Sequence, residues 1–197
     1  MGKFSRVGKN AKLGDGTLIH THRNSSALFT STDIDVLKVK QMMCFMEGIT
    51  HTDFKTQKSG YGGKKTIYKF ATRVHERLTE VSNASIEEVI NDLDEFDLAL
   101  WFLDDGSWHK NKHIMHLYSN MLNENQTDLL INKIESLYGI APRKRIDRKK
   151  DGRQFYYLYF SRDLVKRFRP EFKETVINLE IPSMFYKFGG LEYKEAN

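Results

Sequence analysis

Two short segments of the 197-residue chain end in an aspartate followed by a glycine, and these positions are the strongest candidates for chemistry. Asp15 and Gly16 close the segment VGKNAKLGDG, and Asp105 and Gly106 close DLALWFLDDG. Each segment is predicted to form a short helix that ends at its aspartate. A carboxylate is unfavourable there, because the carbonyls at a helix C-terminus carry partial negative charge. A divalent cation reverses this balance, since Mg²⁺ prefers carboxylate, carbonyl, phosphate and water oxygens.

The residues around the two aspartates indicate how these helices would end and pack. We expect Gly16 and Gly106 to end each helix in a tight left-handed turn. Close packing of two helices requires small residues, and the two segments supply these: Gly8, Ala11, Gly14 and Ala99. Two such helices side by side would bring Asp15 and Asp105 together, so that one divalent-metal site could use both.

The two aspartates, 90 residues apart, lie at equivalent places in an internal repeat. Each copy contains a predicted hairpin, a helix that ends in Gly-Ile, a second hairpin and a short helix. Glycine turns mark the second hairpins, at residues 62–63 in the first copy and 151–152 in the second. The sequence therefore predicts an α/β fold with a first half at residues 1–80, a helical connector at 81–95 and a second half at 96–197.

Amphipathic periodicity predicts the long helix of each copy. In the first copy the predicted buried side carries Ile34, Leu37, Gln41 and Phe45, with Asp33 as the N-cap and Gly48 at the end. In the second copy the stripe consists of Leu129, Ile131, Ile134, Leu137 and Tyr138, and Gly139 is expected to end the helix.

The charge distribution suggests a polyanionic partner. The formal net charge is only +5, but bases are concentrated between residues 139 and 173, and acids between residues 76 and 105. A run of like charge is most often a solvated face. This basic run, however, lies on two predicted strands, RKRID and QFYYLYF, and a two-stranded ribbon with cationic and aromatic side chains fits the DNA major groove. The predicted DNA contacts are Lys64, Lys65, Arg143, Arg145, Arg148, Lys149, Lys150 and Arg153, together with His20 and His22, which share a strand face.

Other features exclude several classes of protein. Cys44 is the only cysteine, which excludes an intramolecular disulfide and a cysteine-rich zinc site. The chain has no signal-peptide-like start and no apolar run of membrane-spanning length, so we expect a soluble, cytoplasmic protein that acts at the nucleoid. His109, His113 and His116 lie in one predicted hairpin, but no fourth zinc ligand accompanies them. We expect these histidines to face DNA or solvent.

Three segments in order resemble the LAGLIDADG homing endonucleases, in the monomeric form that carries two motifs in one chain. LALWFLDDG is similar to the second motif, GKNAKLGDG occupies the place of the first, and residues 181–187 resemble a segment near the end of such enzymes. The resemblance implies two αββαββα halves that form a DNA-binding saddle, with the motif helices at its centre. It also implies a monomer that cuts double-stranded DNA without an obligate protein partner.

The resemblance assigns roles to individual residues. It implies that Asp15 and Asp105 are catalytic and bind Mg²⁺ (or Mn²⁺), with the backbone carbonyls of Gly14 and Asp104 as further ligands. It places Lys187 at a scissile phosphate, where a cation stabilises developing negative charge.

The first motif departs from the family pattern, because Lys9, Asn10 and Lys12 replace apolar residues. This departure favours two alternatives to an active nuclease. One is a DNA-binding regulator that does not cut, and the other is a maturase that binds intron RNA. Metal-dependent cleavage separates the enzyme from both alternatives, and preference for structured RNA separates the maturase.

The two halves also differ in basic residues near their motifs. Residues 78–109 contain no lysine or arginine, so the first half has no counterpart of Lys187 in the equivalent place. Lys65 or Lys69 on the second hairpin is the alternative source of a cation. We expect unequal cleavage of the two strands, with nicked DNA as an intermediate or as the final product.

Overall fold

The computed structural model describes residues 2–21, 23–58, 65–109, 113–148, 152 and 154–188. The chain divides into two compact units, Met1–Asp104 and Asp105–Asn197. Each unit contains one four-stranded antiparallel sheet with helices packed against it. The α/β class predicted from the sequence is confirmed, as is the order hairpin, helix, hairpin, helix in each half.

The first unit is built from five helices and four strands. In chain order they are α1 (Arg6–Leu13), β1 (Gly16–Thr21), β2 (Asn24–Ser31), α2 (Ile34–Met46), β3 (Lys55–Lys58), β4 (Thr66–Ala71), α3 (Glu76–Asn83), α4 (Ile86–Asn91) and α5 (Glu95–Asp105). The strand order in the sheet is β1-β2-β4-β3. Phe29 pairs with Phe70 across β2 and β4, and both side chains are buried beneath α1, α2 and α3.

Helix α2 is rotated relative to its predicted orientation. Its buried face contains Leu37, Lys40 and Cys44, whereas Phe45 is 82% exposed. The prediction that Phe45 lies on the buried side was therefore wrong. The reason is that Lys40 occupies the centre of the buried stripe, and a pattern of apolar residues assigns a lysine to the solvent side. Asp33 does cap the helix, since its carboxylate accepts the Asp35 N–H at 2.9 Å.

Helix α5 packs within the first unit. Every residue from Asp97 to Leu103 is buried. The boundary between the compact units thus falls at the Asp104–Asp105 peptide, later than the predicted start of the second half at residue 96. Although α5 is the most apolar of the motif helices, no helix within the described ranges is long and apolar enough to cross a membrane.

The second unit repeats the sheet of the first. Its elements are β5 (Gly106–His109), β6 (Ile114–Tyr118), α6 (Glu124–Tyr138), β7 (Arg143–Arg148), β8 (Gln154–Phe160), α7 (Arg162–Asn178) and a 3-10 helix (Pro182–Phe188). The strand order is β5-β6-β8-β7. On the covered face, Met115 pairs with Phe160 and Leu117 with Leu158, and all four side chains are buried beneath the helices.

The glycines are needed for two different reasons, a left-handed backbone conformation or lack of space for a side chain. Within the described residues, Gly48, Gly139 and Gly152 have positive φ, and Gly139 is the left-handed C-cap of α6. Gly16 and Gly106 do not, so the prediction of a left-handed turn at these two positions was wrong. Gly16 is required for a steric reason instead. A Cβ atom there would lie 2.4 Å from the Cα atom of Ala11 in α1.

Candidate functional site

The first candidate catalytic residue lies where α1 gives way to β1. Helix α1 ends at Leu13, the Gly14 N–H donates to the Asn10 carbonyl at 2.9 Å, and the exposed Asp15 follows before the strand begins at Gly16. The structure therefore places Asp15 at a helix C-terminus, as the sequence predicted.

The side chain of Asp104 holds this turn from α5. One carboxylate oxygen, Oδ1, accepts a 2.7 Å hydrogen bond from the Lys40 ammonium. The other, Oδ2, accepts from the Asn10 amide at 2.9 Å and from the Asp15 main-chain N–H at 3.1 Å. A Cβ atom on Gly14 would lie 2.3 Å from Asp104 Oδ2, so glycine is needed for this approach.

A second group of charges joins the start of α1 to the start of α5. The Lys9 ammonium donates to Asp97 Oδ2 at 2.5 Å, with side-chain exposures of 2% and 3% for the two residues. Lys9 also forms an ion pair with Asp92. The Arg6 guanidinium donates to Asp94 through both terminal nitrogens and to Asp97 through Nη1. Burial raises the pKa of Asp97, and Lys9 opposes this shift. Burial also acts to raise the pKa of Asp94, but hydrogen bonds from Arg6 and the Asp97 N–H outweigh it and lower that pKa to about 2.

Lys12 completes the polar side of α1. Its ammonium donates to the carbonyl oxygens of Val81, Ser82 and Ala84, at the C-terminal end of α3. A cation is favourable at this end of a helix. The three polar residues that distinguish the first motif, Lys9, Asn10 and Lys12, therefore each have specific partners. Gly8 provides space for α3 and not for α5, because a Cβ atom there would meet Val81 at 2.7 Å.

The second candidate catalytic residue, Asp105, is the last residue of α5 and is half-buried. Strand β5 begins immediately after it, at Gly106. The 3-10 helix that carries Lys187 packs against β5 and α7, and Lys187 is only 6% exposed. Within the second unit, this buried lysine is thus carried by an element that contacts the strand following Asp105.

The donor atoms at the two motif ends suit a hard divalent cation. The end of α1 presents the Asp15 carboxylate and the Gly14 carbonyl, and the end of α5 presents the Asp105 carboxylate and the Asp104 carbonyl. Oxygen donors of this kind are those that Mg²⁺ accepts, with water and phosphate in the remaining positions. Among the described residues, no group of three or more histidine, cysteine or acidic side chains is arranged to hold a metal ion.

One face of the second-unit sheet is not covered by helices. The register places Arg143 opposite Tyr159, Arg145 opposite Tyr157, and His116 opposite Tyr159, all on this open face. The Arg145 guanidinium lies 5.7 Å from the centre of the Tyr159 ring. Lys144 alternates to the covered face, where it forms ion pairs with Glu124 and Asp128 of α6.

The sequence predicted aromatic side chains on the ribbon of β7 and β8, but no tyrosine was among the predicted DNA contacts. Tyr118, Tyr157 and Tyr159 line the open face, and His116 packs against the last two with ring centres 5.1 and 5.8 Å away. The alternation in QFYYLYF was the available signal, because every second residue of a strand points to the same side. Leu158 and Phe160 are buried, so Tyr157 and Tyr159, which alternate with them, must face outward.

The remaining predicted contacts fall in three groups. Arg148 and His20 lie on the helix-covered sides of their sheets by register, and His20 Nδ1 is 2.9 Å from Ser25 Oγ. Lys65 is exposed just before β4. Five positions lie outside the described residues: His22, Lys64, Lys149, Lys150 and Arg153.

The register also places Lys55, Gln57 and Lys69 on the open face of the first sheet, and Lys69 donates to Gln57 at 2.9 Å.

Comparison with known proteins identifies the family. The model of the LAGLIDADG DNA endonuclease family matches residues 13–168, a span that includes both Asp-Gly turns and both sheets. The chain belongs to this family. A search of curated proteins found no match.

Solved structures agree with the LAGLIDADG assignment. The homing endonuclease I-WcaI, bound to its DNA recognition sequence, is 21% identical with a TM-score of 0.67, over 93% of this chain and 84% of that one. I-DmoI, in complex with its target DNA and in the presence of manganese, is 14% identical with a TM-score of 0.57, over 88% and 93%. The N-terminal LAGLIDADG domain of DUF199/WhiA is 13% identical with a TM-score of 0.54, over 84% and 81%. At these identities the likeness concerns the fold.

The buried Lys9–Asp97 pair gives a prediction about stability. Replacing Lys9 by methionine leaves Asp97 buried without its closest cation, which costs about 3–5 kcal/mol. The first unit is monitored by labelling Cys44 during urea unfolding. This thiol is buried, which raises its pKa to about 12, so it reacts only when the unit opens.

Lys38→Met is the matched control, because Lys38 is 60% exposed in its ion pair with Asp35. We expect that substitution to change the unfolding free energy by less than about 1 kcal/mol. The double variant Lys9→Met, Asp97→Leu should recover much of the lost stability, since neither buried charge remains. Equal stability of the Lys9→Met and Lys38→Met proteins would contradict the role given to the buried pair.

Proposed function

We propose that this chain is a site-specific endonuclease that hydrolyses phosphodiester bonds of double-stranded DNA. The observation that carries the proposal is the pair of aspartates at equivalent helix ends, Asp15 after α1 and Asp105 at the end of α5. Membership of the LAGLIDADG DNA endonuclease family supports it. I-WcaI and I-DmoI, which share the fold, were both solved with their DNA targets. A DNA substrate implies action inside the cell. Two motifs within one chain imply that the protein acts as a monomer.

Asp15 and Asp105 would hold Mg²⁺ or Mn²⁺, with the carbonyl oxygens of Gly14 and Asp104. Such a cation polarises the phosphate and makes bound water a nucleophile near neutral pH. The carboxylate of Asp104 already bonds Lys40, Asn10 and the Asp15 N–H, so this residue contributes to a metal site through its main chain. I-DmoI has been solved with manganese and with calcium, which supports a divalent cation for this chain.

Lys187 is proposed to stabilise the charge that develops on a scissile phosphate. Its burial beside β5 keeps the ammonium in a fixed place, since a lysine with so little exposure has few alternative rotamers. In the first unit, the comparable cation near the Asp15 turn is Lys40, and its charge is balanced by Asp104 at 2.7 Å. We therefore propose Lys40 of α2 as the lysine of the first motif, with Lys65 and Lys69 of the second hairpin as the alternatives.

The open faces of the two sheets are proposed to contact the duplex. Arg143 and Arg145 on β7 are suited to the paired acceptors of guanine in the major groove. Lys55, Gln57 and Lys69 supply the equivalent polar groups in the first unit. His20 and Arg148 are left out of this surface, because register turns both towards the helices.

The first prediction concerns the catalytic aspartates. Asp15→Asn and Asp105→Asn each remove one formal charge from the metal site and preserve its shape. We expect both variants to lose cleavage of a supercoiled plasmid while binding the same duplex as tightly as the original protein. The plasmid carries a site selected by the purified protein from a randomised duplex library, and the reaction contains Mg²⁺ or Mn²⁺.

Asp35→Asn is the matched control, since Asp35 is half-buried in the first turn of α2 and forms a 2.9 Å ion pair with the exposed Lys38. This variant should cleave normally. Full activity in either catalytic variant would contradict the mechanism. An unaltered chain that binds duplex without cutting it would instead favour a regulator, and tighter binding of structured RNA would favour a maturase.

The second prediction concerns the open face of β7. If roughly six to ten phosphates are contacted, affinity should fall about 10³- to 10⁵-fold between about 50 and 200 mM salt. Arg145→Gln should weaken binding to the selected site and relax base preference at one position. Lys144→Gln removes the same charge one residue away, but on the covered face. Equal effects of the two substitutions on base preference would exclude β7 as a reading surface.

The third prediction concerns unequal strand cleavage. Loss of a donor to a developing oxyanion costs about 10²-fold or more in rate. The motif whose lysine is neutralised by Asp104 should therefore cut more slowly, so that nicked plasmid accumulates before linear product. With each strand labelled at its end, Lys187→Met should slow one strand far more than the other. Direct conversion of supercoiled plasmid to linear product would refute the asymmetry.

A further inference from the structure

Two histidines on the open face of the second sheet are in direct contact. His109 Nε2 lies 3.1 Å from His116 Nδ1, and the ring centres are 4.4 Å apart. His109 is exposed at the end of β5, and His116 is half-buried in the middle of β6. This distance requires a hydrogen between the two nitrogens, so one ring donates and the other accepts.

The surroundings of the pair are aromatic and cationic. Tyr157 and Tyr159 of β8 pack against His116, and Tyr118 of β6 lies at 6.4 Å between ring centres. Beyond β8, strand β7 presents Arg143, Arg145 and Asp147 on the same face, two strand spacings or about 10 Å from β6. On the other side, the 3-10 helix that carries Lys187 packs against β5.

Because of the shared hydrogen bond, the protonation state of the pair determines whether the outer nitrogen of His109, Nδ1, donates or accepts a hydrogen bond. While the pair is neutral, Nδ1 of His109 is an acceptor if Nε2 donates to His116, and a donor if Nε2 accepts. The two tautomers exchange when the shared proton crosses from one ring to the other and solvent carries a second proton between the outer nitrogens, His116 Nε2 and His109 Nδ1. Once the pair takes up one further proton, Nε2 and Nδ1 of His109 both carry hydrogen, or His116 carries two and donates to Nε2. In either case His109 Nδ1 bears a hydrogen and acts only as a donor.

We propose that the His109–His116 pair is a base-reading site whose hydrogen-bonding preference changes with protonation. In the neutral pair, His109 Nδ1 can bond a base donor, such as the amino group of adenine or cytosine, or a base acceptor. In the protonated pair it can bond only a base acceptor, and guanine O6 and N7 are the strongest such set in the major groove. This inference rests on the proposed DNA-binding function and names two specificity-determining residues for it.

Protonation of the pair is coupled to DNA binding. A bound duplex brings phosphates close to the pair, and their negative charge favours uptake of a proton. Histidine is the side chain whose charge ordinarily changes between about pH 5 and 8. Affinity for a guanine-containing site should therefore increase as pH falls through this range.

The test uses a randomised duplex library as the probe, selected at about pH 6 and about pH 8. With the unaltered protein, one position should be several-fold richer in guanine at the lower pH. His109→Gln should show the same preference at both pH values, since glutamine has a donor and an acceptor and does not titrate. The control is His113→Asn, in the same hairpin. Asparagine tolerates the positive φ of 51° at that position, and this variant should respond as the unaltered protein does.

Affinity for the guanine-containing duplex provides a second measurement. By fluorescence anisotropy, the logarithm of Kd should rise by up to about one per pH unit in the original protein, and the slope should be absent in His109→Gln. Affinity at the higher pH within a few-fold of the original shows that the variant is folded. A pH response retained in His109→Gln, or a base preference that ignores pH, overturns the inference and leaves the endonuclease proposal standing. Failure to bind any duplex overturns both.

Discussion

The structure of the first unit depends on charges that α1 and α2 bury against α5. Lys9 meets Asp97, and Lys40 meets Asp104, with almost no exposed surface on any of these four side chains. Burying a charge lowers the stability of the fold unless the charge has a partner in good geometry. Removing one partner leaves the other charge buried and uncompensated. The arrangement therefore tolerates essentially one register of α1 against α5. Apolar helices would pack in several registers at similar cost, whereas here each carboxylate must meet its own cation.

This constraint also separates the roles of two adjacent aspartates. Consecutive residues on a helix point about 100° apart, so Asp104 and Asp105 cannot face the same surroundings. Asp104 turns inward and bonds Lys40, Asn10 and the Asp15 main chain. Asp105 ends the helix at the start of β5. One carboxylate thus fixes the geometry of the first turn, while its chain neighbour lies at the junction of α5 and β5.

The two sheets share an architecture but present different chemistry on their open faces. Both have the same strand order and direction of pairing. The first exposes threonine, isoleucine, lysine and glutamine, whereas the second exposes arginine, tyrosine and histidine. Open-face side chains contribute little to the core, so they can diverge between copies of a repeat without loss of the fold.

The sequence by itself determined the order of elements, the class of fold and the positions of both Asp-Gly turns, because periodicity, caps and turn residues are local properties of the chain. It did not determine which polar side chains lie inside. A sequence pattern assigns lysines such as Lys9 and Lys40 to the solvent side of a helix, yet both are buried. For this reason the buried face of α2, which contains Lys40, was predicted too close to Phe45. Partners far apart in sequence decide such burial, as with Lys9 and Asp97 or Lys40 and Asp104. Strand register likewise decided which of Arg143, Lys144 and Arg145 face outward, and brought His109 onto His116. Those pairings depend on how strands align across a sheet, and only the tertiary structure sets that alignment.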